Sequence, residues 1–143
     1  MWWLIISTLY SAIYDVFLEK ITDFGFASLS STDLEIQLKC YLKGAIQNFL
    51  IYCEQDLTLR SDTTATFTIT LTEMEIEILA MLMVPQWLNP QINSQQLLKE
   101  KFGDREYNLF SSSSLLKQVK DLRDSAIKEA NDMIAIYCFS NLS

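Results

Sequence analysis

The apolar positions fall into helical stretches separated by short polar breaks. Leu9, Ile13, Val16, Phe17 and Ile21 recur every three to four residues within 2–23 and predict a first helix. Residues 24–31, with Gly25 and three serines, predict a loop. Thr32-Asp33-Leu34-Glu35 has the form of a capping box, in which a threonine hydroxyl satisfies a free amide and a glutamate reaches back. The helix it opens carries Leu34, Leu38, Leu42, Ala45, Phe49 and Tyr52 on one face, with Glu35 and Lys39 spaced to pair on the other.

Residues 55–62 break this period. From Thr63 to Leu71, Phe67, Ile69 and Leu71 alternate with Thr66, Thr68 and Thr70, the pattern of a half-buried strand. No second strand is evident in the chain to pair with it. An isolated strand leaves its backbone groups unsatisfied, so the segment is either an extended run along a helix surface or an edge completed by another copy.

Thr72-Glu73-Met74-Glu75 is a second capping box. Glu73, Glu75 and Glu77 crowd its first turn and a half, where the helix dipole favours negative charge. Their spacing spreads them around a helix, so they do not converge on a metal. No charge interrupts Ile78 to Leu88, which predicts a central helix buried on all sides, with Leu79, Met83 and Trp87 along one side and Ile78 and Leu82 along another. Pro85 is expected to kink or close it. Asn89-Pro90 then punctuates, a shorter helix follows over about 94–102 until Gly103, and residues 104–111 connect onward. Serines 111–114 cap a last helix over about 113–138. Leu115, Val119, Leu122, Ala126, Met133 and Tyr137 form its stripe; Lys117–Asp121, Lys120–Asp124, Asp124–Lys128 and Lys128–Asp132 are spaced to pair. The expected fold is mainly α: a single domain over 1–143, a bundle of about four to five helices with one short extended segment over 63–71. Leu79, Met83, Trp87 and Leu122 are its expected core.

Half of the 143 residues are hydrophobic, ample for one core, and three glycines and two prolines leave little room for many turns. The formal charge of −7 opposes tight binding to a phosphate backbone. Cys40 and Cys53 fall on one predicted helix roughly 20 Å apart, too far for a disulfide. With Cys138 they read as small buried hydrophobes in a reducing compartment. The uncharged start, Met1 to Tyr14, lacks the basic flank and cleavage pattern of a signal peptide. It is also short of the roughly 20 residues a membrane-spanning helix needs. Trp2 and Trp3 are therefore expected to be buried against the body of the protein or a neighbouring chain.

The sequence contains no histidine. That removes histidine-based acid–base catalysis, Ser-His and Cys-His nucleophile pairs and most zinc sites. The glycines stand singly at 25, 44 and 103, so no phosphate loop is present. Neither catalytic residues, nor a cofactor site, nor metal ligands are expected.

The series IYDVFLEKITDF, YLKGAIQNF, LTEMEIEILAMLMVPQWLNPQI, EYNLFSSSSLLKQ and VKDLRDSAIKEANDMI, spanning about 12–138, resembles the small helical head–tail connector (neck or adaptor) proteins of tailed bacteriophages. The strongest section is Leu71 to Leu88, of the type L-T-x-x-E-I-x-I-L-A-x-x-M-x-x-x-W-L. The resemblance implies a subunit of a ring, commonly dodecameric, docked on the portal protein in the virion neck and bound by further neck or tail proteins. DNA would pass through its channel without sequence-specific binding, and assembly would occur in the host cytoplasm without a membrane. The apolar start MWWLIISTL departs from the short polar start of that family. On this expectation Trp2, Trp3, Phe67, Ile69 and Leu71 are the candidate subunit interface. A membrane- or host-associated helical interaction protein and a helical dimeric regulator are the alternatives.

Overall fold

The computed structural model describes residues 7–23, 34–110 and 115–142. In chain order the elements are α1 (Tyr10–Asp23), α2 (Leu34–Phe49), β1 (Arg60–Ser61), β2 (Thr66–Phe67), α3 (Glu73–Phe110) and α4 (Leu115–Ser140). The protein is mainly helical, with one small antiparallel sheet. α1, α2 and α4 each pack on α3.

α3 is central because its sequence leaves it no wet face. From Ile78 to Leu88 every residue except Gln86 is buried, and Leu79, Met83 and Trp87 lie in the core as expected. Its start follows the second capping box: Thr72 Oγ1 accepts from the Glu75 amide at 3.2 Å, and Glu75 Oε1 accepts from the Thr72 amide at 2.8 Å. A Lys20–Glu77 ion pair at 2.8 Å ties α1 to the same turn. The first capping box begins outside the described residues.

The prolines do not end the helix. α3 continues through Pro85 and Pro90, and its only non-helical dihedrals are at Gly103 (φ 76°, ψ 165°), a region essentially reserved for glycine. The separate helix expected over 94–102 is thus a continuation of α3. A proline inside a helix costs about 3 kcal/mol. Burying a large aliphatic or aromatic side chain returns about 1.5–3 kcal/mol, and Val84, Trp87, Leu88 and Ile92 are all buried around these two prolines.

α4 buries Leu116, Val119, Ala126, Ala130, Ile134 and Tyr137. Leu122 and Met133 flank this line and are only partly buried against the core, so Leu122 is a border residue, not a central one. Of the expected pairs Lys128–Asp132 closes at 3.0 Å, whereas Asp124 meets its neighbour Arg123 at 3.2 Å. α2 buries Leu38, Leu42, Ala45, Ile46 and Phe49 but stops at Phe49. Tyr52 lies past its end and is exposed, and Cys53 is off the helix altogether. The cysteines are free, and Cys40 is exposed rather than buried.

The extended segment finds its partners inside the chain. Within the stretch taken as a simple break, Arg60 and Ser61 pair antiparallel with Phe67 and Thr66. The other edge is met by residues just before α1. Leu9 bridges Thr66, Phe67 N–H donates to Thr8 O at 2.8 Å, Thr8 N–H to Ile69 O at 3.1 Å, and Tyr10 N–H to Ala65 O at 2.9 Å. The first helix consequently begins at Tyr10 rather than near residue 2. Only Thr66–Phe67 of the expected 63–71 run is strand, because Ala65 turns the chain at a positive φ of 54°.

Thr8 is buried, and its hydroxyl accepts from the Leu71 amide at 2.8 Å. Replacing Thr8 with valine keeps the shape and strands that amide, so stability should fall by about 1–3 kcal/mol in a urea titration. Phe67→Ala should cost about 3–5 kcal/mol, as for a large buried aromatic. A Phe67→Ala chain with an unchanged urea midpoint would refute this placement of the sheet.

Candidate assembly surface

The expected interface residues separate in the structure. Trp2 and Trp3 lie outside the described residues. Phe67 is fully buried, Leu71 is 5% exposed and Ile69 packs partly against the core. Phe67 and Leu71 are therefore core residues and not available to a neighbouring chain, which corrects their assignment. The physical reason is the edge supplied by residues 7–10: once the strand is paired within the chain, its apolar side faces the chain's own helices.

Behind this sheet sits a buried carboxylate. Glu75, 2% exposed, is the third residue of α3. Its Oε1 accepts from the Thr72 amide at 2.8 Å and from Gln55 Nε2 at 2.7 Å. Its Oε2 accepts from the Tyr137 hydroxyl at 2.7 Å and from Cys53 Sγ at 3.5 Å. The Tyr137 oxygen in turn accepts from the Glu54 amide at 2.8 Å, and Gln55 also donates to Thr70 O at 2.7 Å. One side chain thereby joins the loop after α2, the start of α3 and the end of α4. Among the described residues no lysine or arginine pairs with it; hydrogen bonds and the positive end of α3 stabilise its charge.

The titration behaviour follows. Burial pushes the Glu75 carboxyl up, but the bonds from Thr72, Tyr137, Gln55 and Cys53 outweigh it and hold the group below the ordinary 4.5. Burial drives the Cys53 thiol up to about 11, and burial together with the Glu75 bond raises Tyr137. The site holds an anion away from water, with every donor already committed. Its chemistry is structural. Among the described residues no cluster of histidine, cysteine or carboxylate side chains can hold a metal ion, and no helix is long and apolar enough to cross a membrane.

Several apolar side chains near the ends of α2 and α4 are exposed. The Phe49 and Tyr137 rings meet at 5.3 Å and bring these ends side by side. Around them Ile51 is 80% exposed, Phe139 75%, Leu142 74% and Ile136 61%. Exposed apolar side chains are ordinary singly and mark a contact surface where they are contiguous. The sequence did carry a signal for them: Ile136 and Phe139 fall off the buried stripe of α4, and Ile51 lies two residues past the end of α2. No family model, curated protein or solved structure matches this chain.

Two measurements check the Glu75 junction. Tyr137→Phe should lower stability by about 1.5–3 kcal/mol, the worth of a hydrogen bond to a charged group. The pH profile carries the sign. A carboxyl lowered in the fold contributes stability above 4.5 that is lost as pH falls through its folded value. A Glu75→Gln chain should therefore be less stable at neutral pH, with a flatter loss below pH 4.5. Parallel acid limbs for the two chains would exclude Glu75 as the cause.

Proposed function

We propose that the chain is a head–tail connector subunit of a tailed bacteriophage, forming a ring between the portal and the next neck or tail component and extending the DNA channel. The carrying observation is the pattern of Leu71 to Leu88. Its threonine and glutamate make the cap of α3, and its apolar letters are the buried centre against which the other helices pack. The resembling motif thus consists of the residues that specify this bundle, so a similar subunit fold is what the resemblance supports.

Action in such a role is mechanical and needs surfaces rather than reacting groups. The apolar end formed by Ile51, Ile136, Phe139 and Leu142 supplies a surface for subunit or portal contact. Head-to-tail contacts of this kind close into a ring when the rotation between copies closes. A net charge of −7 suits a lumen through which DNA slides without adhering. Residence in the virion neck, after assembly in the host cytoplasm, belongs to the same proposal.

Native mass spectrometry of the chain alone, and then with its cognate portal, tests this. The expected result is a ring of about a dozen copies, or monomers that become a ring on the portal. The Ile136→Ser, Phe139→Ser chain should keep its unfolding free energy in urea within about 0.5 kcal/mol and lose the ring. A stable dimer indifferent to the portal would overturn the proposal in favour of a dimeric regulator, and flotation with liposomes would overturn it in favour of a membrane-associated protein.

A further inference from the structure

No further inference is drawn: the strongest candidate, the hollow between α1 and the start of α3 lined by Ala12, Val16, Ile76, Glu73 and Glu77, is an acidic cluster at a helix N-terminus whose Glu77 already pairs with Lys20, and nothing in the structure shows what covers it.

Discussion

The bundle depends on a buried carboxylate held by hydrogen bonds, with no cation paired to it among the described residues. Glu75 is buried where α3 begins, and its two oxygens take bonds from Thr72, Gln55, Tyr137 and Cys53. An isolated ionised carboxyl in such a place costs many kcal/mol, so the fold requires all of these donors together. That requirement fixes where the chain goes after α2, because Glu54 and Gln55 must return to the α3 terminus. It also fixes the rotation of α4, because Tyr137 must present its hydroxyl to the same point. Apolar packing alone tolerates slippage of one helix along another; a shared anion with directional donors does not.

A second constraint comes from the sheet. Three short backbone segments, around residues 8–10, 60–61 and 66–69, satisfy one another. The Tyr10 hydroxyl donates to Asp62 at 2.6 Å and holds the turn beneath α1, which keeps the Asp62 carboxyl below its usual range. The strand that looks unfinished when taken singly is completed within the chain by residues 8–10. It therefore lends no weight to an intersubunit contact, and an assembly surface is to be sought among the apolar side chains that remain exposed, Ile51, Ile136, Phe139 and Leu142 among them.

The helical content was legible because its signals are local. The capping box at Thr72 and the uncharged run from Ile78 to Leu88 each need only neighbours in sequence to be read, and both appear in the structure where expected. Gly103 was legible as a break for the same reason. Pro85 and Pro90 misled because a local cost was weighed without the burial that offsets it. The pairing of Leu9 with Thr66 spans more than fifty residues, and nothing in the alternation of Phe67, Ile69 and Leu71 names a partner at that distance. The Glu75 junction was hidden by its own capping role: a glutamate at the third helical position is fully explained by Thr72, so its further bonds to α4 and to the α2–β1 loop left no trace in the pattern.

These considerations bear on where function can reside in a chain built this way. Positions that serve packing are overdetermined here: Leu79, Met83 and Trp87 are buried by period, by burial on every side and by the anchoring of α3 at Glu75. Other positions are not explained by packing. Ile51, Ile136, Phe139 and Leu142 expose apolar area that a monomer gains nothing by showing. Gly44 and Pro85 weaken the helices that contain them; the Gln86 side chain packs on Gly44, and Pro85 and Gln86 line one groove.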